Sequence, residues 1–353
     1  MRVLVTGGAG FIGSSIAVAL ATRHPDWQLV AADNLYRRGS ELTLPRLKER
    51  GVEFVHGDVR QPEDLNRIGE IAALVECSAE PSVLAGIDGG SAFVVKTNLL
   101  GAYHCLELAA RHGAQLVFLS TSRVYPVVAQ NRLAFRESET RFELLDEQAV
   151  PGASSRGITE EFALEGARTL YGASKLAAEL LITEYAESRG LRTVVDRCGV
   201  VAGPWQMGKV DQGVFTYWML SFYFKRELAY IGYRGSGKQV RDLLHVDDLI
   251  DLVDEQLVNP DRWNGGTYNV GGGRDGSLSL LEATEICREL TGNAMAIQRV
   301  ENSRPGDVRV YLSDCHALFE QTDWRPRRTP PEILADIYEW IGENEAEVRS
   351  ALI

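Results

Sequence analysis

A chain of 353 residues in which 45% are hydrophobic can bury a sizeable core, which argues against disorder and allows two lobes or one large α/β unit. A formal charge of −12 with no long Lys/Arg run argues against a nucleic acid or an anionic membrane as partner, so any anionic ligand must be met by local groups.

The chain opens Met1-Arg2-Val3-Leu4-Val5-Thr6 and runs straight into a glycine cluster, too short for a signal peptide. No later apolar run approaches the length of a membrane span, and a cytoplasmic protein is expected. Val3–Thr6, Leu29–Ala32, Glu53–His56, Leu74–Cys77 and Leu116–Ser120 read as strands, while Ile12–Thr22 and Asn98–His112 carry apolar residues at helical spacing. That alternation predicts successive βα units in the α/β class, a Rossmann-type doubly wound parallel sheet. Residues 129–170 are polar and irregular and are expected to form a long excursion near the active site. A helix from Tyr171 to Arg189, ended by Gly190, and a sixth strand at Thr193–Val195 follow.

After Gly203-Pro204 the alternation weakens and aromatic and turn residues increase, as expected of a smaller C-terminal substrate-binding lobe. The expected organisation is a cofactor lobe over residues 1–196, to which part of 237–257 returns, and a substrate lobe over 197–236 and 258–353. An amphipathic helix near Pro331–Glu343 would close the chain. Cys77, Cys105, Cys198, Cys287 and Cys315 are scattered, without zinc-ligand or disulfide spacing, and predict reduced thiols and no metal centre.

The first strand is followed by Thr6-Gly7-Gly8-Ala9-Gly10-Phe11-Ile12-Gly13, which fits both Gly-x-Gly-x-x-Gly and Gly-x-x-Gly-x-x-Gly. Such a turn lets backbone N–H groups and the positive end of the following helix approach a pyrophosphate, with Gly7, Gly10, Phe11 and Ile12 as contacts. Gly13 permits tight helix–strand packing. A glycine turn alone is weak evidence, but Asp33, followed by Asn34, lies about twenty residues further on, where an adenosine ribose would be met. Asp33 would repel a 2′-phosphate and favours NAD over NADP, although Arg37 and Arg38 nearby could offset that repulsion. Asp58 and Val59 are placed to touch the adenine edge, with helix capping as the rival explanation of the aspartate.

Tyr171-Gly172-Ala173-Ser174-Lys175 sets a phenol and an ammonium at i and i+4 on one helix face. A lysine there lowers the pKa of the phenol and makes it a general base for a hydroxyl proton while nicotinamide takes a hydride. The pattern is common by chance and gains meaning beside the dinucleotide turn and Ser120-Thr121-Ser122-Arg123-Val124-Tyr125, at the C-terminal end of the fifth strand where ligands of open α/β sheets gather.

With these motifs the sequence resembles, over essentially its whole length, the extended short-chain dehydrogenase/reductase family of nucleotide-sugar epimerases and dehydratases. The resemblance implies Thr121 as the active-site hydroxyl, Tyr171 as base, Lys175 as its partner, and Ala79 and Asn98 near the cofactor. Further stretches carry a narrower likeness: Asp33-Asn34-Leu35, Phe54-Val55-His56-Gly57-Asp58, Asp211-Gln212-Gly213, Gly237-Lys238-Gln239-Val240-Arg241-Asp242 and Leu278-Ser279-Leu280-Leu281-Glu282. They imply transient oxidation and re-reduction at C2 of a CDP-sugar, with Thr121, Arg123, Gln212, Arg241 and Arg304 on the substrate and its phosphates. A homodimer or homotetramer, built through Asn98–His112 and Tyr171–Arg189, is implied in the same way.

Several positions depart from the family pattern. Ser122-Arg123 follow Thr121 where a dehydratase would carry Asp-Glu, which lowers the dehydratase reading. Glu76 stands where a histidine is more usual, Glu80 adds a carboxylate that could face the site or solvent, and Pro126 replaces a glycine. The rival functions are a nucleotide-sugar 4-epimerase, a net dehydrogenase and a dinucleotide-sensing regulator on the same fold.

Overall fold

The structure is a computed structural model that describes residues 1–87, 89–209 and 212–352. Asp211, one of the residues carrying the narrower likeness, lies outside the described residues. By compactness the chain divides into one unit of residues 1–121, 170–197 and 249–267 and a second of 122–169, 198–248 and 268–353. The sequence assigned residues 122–169 to the cofactor lobe; they group instead with the second unit, where the amide of Phe142 donates to Lys238 O and that of Ile158 to Leu312 O.

The first unit is organised by a seven-stranded sheet. In spatial order its strands are Gly266–Val270, Thr193–Cys198, Gln115–Thr121, Ala73–Glu76, Arg2–Thr6, Gln28–Asp33 and Glu53–His56. The first five strands of the chain pair in parallel; four of them are buried on both faces, with Val3, Leu4, Val5, Val30, Leu74, Val75 and Val117 buried, while Glu53–His56 at the edge is only partly buried. Strand order reverses direction between Arg2–Thr6 and Ala73–Glu76, where Thr6 lies in register with Glu76. That reversal opens a crevice at the strand C-termini, the usual ligand position of a doubly wound sheet.

One face is filled by Leu106, Phe118, Ile182 and Val195, which pack the helices Gly101–His112 and Leu170–Arg189 onto the strands. A π-helical turn, Lys96–Leu100, joins Ser91–Val95 to Gly101–His112, so the helix expected from Asn98 starts earlier and carries a widened turn at that residue.

The second unit has its own core of Phe215, Trp218, Leu243, Leu278, Ile333 and Trp340. Strand Val240–His245 pairs with Val200–Ala202 and Val310–Tyr311 in parallel and with Ser277–Ser279 antiparallel. Residues 129–170 are more regular than the composition suggests, with hairpins pairing Phe135–Glu137 with Phe142–Leu144 and Ala153–Ser154 with Gly157–Ile158. Among the described residues no helix is long and apolar enough to cross a membrane, and none of the five cysteines forms a disulfide.

Candidate active site

The glycine turn is closed by its own backbone. The amide of Gly10 donates to Gly7 O at 2.9 Å, and that of Ser14 donates to Gly10 O at the same distance, which starts the helix Phe11–Arg23. No side chain caps that helix, so the first-turn amides at Phe11 and Ile12 remain for a ligand. A Cβ on Gly13 would sit 2.2 Å from Gly7 O, and one on Gly7, whose φ is +62°, would sit 2.9 Å from the carbonyl of Cys77. The cradle therefore fits a dinucleotide pyrophosphate: its glycines remove the atoms that would fill it, and its amides point where anionic oxygens bind.

Asp33 sits beside this turn at the end of its strand. Its Oδ2 accepts from the amide of Ala9 at 3.1 Å and its Oδ1 from that of Leu35 at 2.8 Å. Burial raises its pKa, against the lowering effect of those amides. The carboxylate thus clasps the glycine turn and retains lone pairs for a ribose hydroxyl.

Asp58 does not cap the following helix, Pro62–Asn66, whose N-cap is Gln61; the capping explanation is wrong. Its carboxylate accepts from Asn34 Nδ2 at 2.9 Å and from Arg60 Nε and Nη2, and its own amide donates to Asp64. Although burial acts in the opposite direction, the Arg60 guanidinium and Asn34 amide hold its pKa down at about 2. Asn34 and Asp58 are therefore joined in one network, while Val59 is buried against the position of Gly101.

Asn98, buried on the widened turn, donates from Nδ2 to Glu80 O at 3.0 Å and to Ser174 Oγ at 3.1 Å, and its Oδ1 accepts from the amide of Glu80 at 2.7 Å. Ser174 Oγ donates in turn to Tyr171 O at 2.8 Å. Asn98 thereby ties the segment containing Ala79 and Glu80 to the helix that bears Tyr171 and Lys175. The Glu80 carboxylate accepts from the amide of Ser82 at 3.1 Å and serves a local turn.

Thr121 is buried at the end of its strand. The neighbouring Ser120 donates to Glu179, whose carboxylate also takes Arg197 Nε at 3.1 Å and Nη2 at 2.8 Å, so that hydroxyl is committed elsewhere. Lys175 is almost completely buried: its Nζ lies 3.2 Å from Glu76 Oε2 and 3.9 Å from the centroid of the Phe118 ring. The sequence marked Glu76 as a departure but missed this pairing. The available signal was a carboxylate closing the otherwise apolar run Ala73-Leu74-Val75.

In the second unit the Arg123 and Arg241 side chains converge on the segment that begins at Arg304. Arg123 Nη1 donates to Gly306 O at 3.0 Å, Arg241 Nη2 to Val308 O at 2.8 Å, and the amide of Arg304 to Asp307 Oδ2 at 2.7 Å. Burial, with Arg123 nearby, pushes the Arg241 pKa down to about 10. That concentration of guanidinium charge favours a bound anion. Alternation along the strand turns Asp242 the other way, where it accepts from the amide of Ser313 at 3.0 Å. Gln212 exchanges backbone hydrogen bonds with Lys209.

Residues 3–271 match the NAD dependent epimerase/dehydratase family. The chain belongs to that family. It is accordingly an NAD-dependent enzyme of the extended short-chain dehydrogenase/reductase type. The CDP-paratose 2-epimerase of Salmonella typhi is similar at 30% identity over 352 residues, covering 96% of this chain and 99% of that protein. A dTDP-glucose 4,6-dehydratase of Mycobacterium tuberculosis is 28% identical, covering 98% and 95%. Among solved structures, the UDP-glucose 4-epimerase of Thermus thermophilus, in complex with NAD, is similar with a TM-score of 0.78 at 27% identity, covering 97% of this epimerase/dehydratase family member and 99% of that chain.

Proposed function

We propose that the protein is a nucleoside-diphosphate-sugar epimerase that inverts C2 of a CDP-sugar. The observation that carries the reading is the helix bearing Tyr171 and Lys175, held by Asn98 and Glu76 beside the strand reversal and the glycine turn. The choice of C2 and of cytidine rests on the 30% identity to the Salmonella typhi enzyme over nearly the whole of both chains and on the motifs read from the sequence. Ser122 and Arg123, in place of an acidic pair, favour epimerisation over water elimination.

Tyr171 takes the proton of the sugar hydroxyl and returns it, Thr121 hydrogen-bonds the reacting oxygen, and Lys175 supports the phenolate and the nicotinamide ribose. NAD, when bound, supplies the capacity to accept and return a hydride. Gly7, Gly10, Phe11, Ile12 and Gly13 hold its pyrophosphate, and Asp33, Asn34, Asp58, Val59 and Ala79 line its adenosine and nicotinamide ends. Arg123, Arg241 and Arg304 meet the phosphates of the substrate, with Gln212 as a further substrate contact. Exposed Leu100, Tyr103 and Leu180 on the two helices named for self-association support a homodimer, which sedimentation would test.

The deciding experiment incubates holoenzyme with CDP-, UDP- and GDP-sugars and follows ring stereochemistry by NMR. Inversion at C2 without free NADH is expected. Inversion at C4 or accumulation of NADH would overturn the assignment in favour of a 4-epimerase or a dehydrogenase.

A further inference from the structure

Glu76 ends the strand on one side of the reversal, in register with Thr6 on one neighbour and Phe118 on the other. Its side chain is 1% exposed, Oε2 faces Lys175, and the backbone of Ser78 is the other polar group that favours its charged form. Burial raises its pKa, opposed by the ammonium of Lys175. Burying a carboxylate and an ammonium together is costly to stability, and well-packed apolar residues would fill such a place more cheaply. Its position beside the lysine of the candidate site gives it a chemical use.

A lone buried ammonium four residues from Tyr171 on the helix would favour the phenolate strongly. A carboxylate beside that ammonium turns a monopole into a dipole, whose field falls off faster. We propose that Glu76 is a positioning residue: it holds Lys175 over the Phe118 ring and offsets its charge, so that Tyr171 stays protonated to a higher pH than the lysine alone would allow. The inference rests on the reading of Tyr171 as the base.

The purpose follows from the symmetry of the proposed reaction. The same oxygen must take a proton in the first half and give it back in the second, and a group whose pKa lies near the working pH serves both. Of the other groups packed around this helix face, the Glu80 carboxylate, tied to the helix through Asn98, is turned to the amide of Ser82, whereas Glu76 meets the Lys175 ammonium directly. Cys77 and Cys105 are thiols whose pKa burial pushes well above the usual value, Asn98 and Ser174 are uncharged, and Glu179 is paired to Arg197.

The test is a near-ultraviolet difference titration of tyrosinate on purified protein at matched dinucleotide content. The step missing in Tyr171→Phe belongs to Tyr171. In Glu76→Gln that step is expected below wild type by about one pH unit, the lower end of the range for a neighbouring charge because Glu76 acts through Lys175. In Glu76→Asp, which keeps the charge, it is expected near the wild-type position. An unchanged or upward step in folded Glu76→Gln overturns the proposal. Should Glu76→Gln not fold, Glu76→His is read by the same criterion, and failure of both to fold makes the pair structural and equally overturns it. The titration needs no sugar, so a wrong substrate leaves it readable. Full turnover by Tyr171→Phe would instead refute the base assignment on which the inference rests.

Discussion

Replacing Gly13 by alanine tests the cofactor cradle at its tightest point. The added Cβ would lie 2.2 Å from Gly7 O, 2.8 Å from Gly7 C and 3.0 Å from Gly8 Cα, whereas ordinary contact begins at 3.4 Å. All three atoms belong to the turn itself, so no flexible side chain can give way, and helix and turn must part by about 1 Å. Overpacking of this kind costs about 1–3 kcal/mol of stability. A displacement of ~1 Å at groups that position a ligand can cost ~100-fold, and a comparable loss of NAD affinity is expected. The assay releases and counts dinucleotide per chain after gel filtration, with NADH fluorescence titration of stripped protein and a thermal melt alongside. Gly190→Ala is the control, because Gly190 has φ +63° but open space around its Cβ position. It should lose about 1 kcal/mol through left-handed backbone strain and keep its NAD. If Gly13→Ala bound NAD like wild type, the close approach of helix and turn would not be what builds the site.

Tyr171→Phe should lower turnover by about 10²–10⁴-fold while dinucleotide content and melting temperature stay near wild type; turnover within a few-fold of wild type would remove Tyr171 from the chemistry. Arg241→Ala should weaken nucleotide-sugar binding by about tenfold or more and leave NAD retention unchanged, measured by calorimetry with each ligand; equal losses would contradict its assignment to the substrate phosphates. Asp196 is fully buried, accepts from Gln256 Nε2 at 2.9 Å, and burial raises its pKa to about 7. Because the folded-state pKa lies above the unfolded value, its contribution is most favourable below about pH 4 and is lost as pH rises towards 7. Between pH 5 and 8 this removes about 2–3 kcal/mol, which Asp196→Asn should abolish. Denaturant melts at the two pH values check this, and an undiminished pH dependence in the variant would point to another group.

The strands of the first unit could be read from sequence because parallel strands buried on both faces appear as short continuous apolar runs. Leu116–Ser120, in a fully buried strand, falls short of Gln115–Thr121 by one residue at each end, and the half-buried edge strand Glu53–His56 matches residue for residue around its Phe54-Val55 pair. The glycine turn, Asp33 and the Tyr171–Lys175 spacing were equally visible, because each is local and the chemistry demands particular residue types. The hairpins within residues 129–170 escaped because strands of two or three residues are too short to show a period. The widened turn at Lys96–Leu100 shifts the helical phase, which made the helix look as if it began at Asn98. The partnership of Glu76 with Lys175 spans 99 residues and becomes visible only when two elements are laid together. The final helix, Glu345–Leu352, was missed beyond the amphipathic run that ends at Glu343.

The division of the chain also governs how the protein can be made. The chain passes between its two units at residues 121, 169, 197, 248 and 267, so neither unit is a contiguous piece of sequence. During synthesis the seven-stranded sheet lacks one of its two edge strands until Val270 has left the ribosome, although five of its strands precede residue 122 in the chain. Until then Thr193–Cys198 stands at that edge in place of Gly266–Val270, a longer unpaired strand that can associate with other chains. A truncation before residue 267 removes part of the first unit, and one after it leaves segments of the second unit attached, so no single cut isolates either unit. Expression at lower translation temperature or with chaperones that shield strand edges should consequently matter more here than for enzymes whose lobes follow one another along the chain.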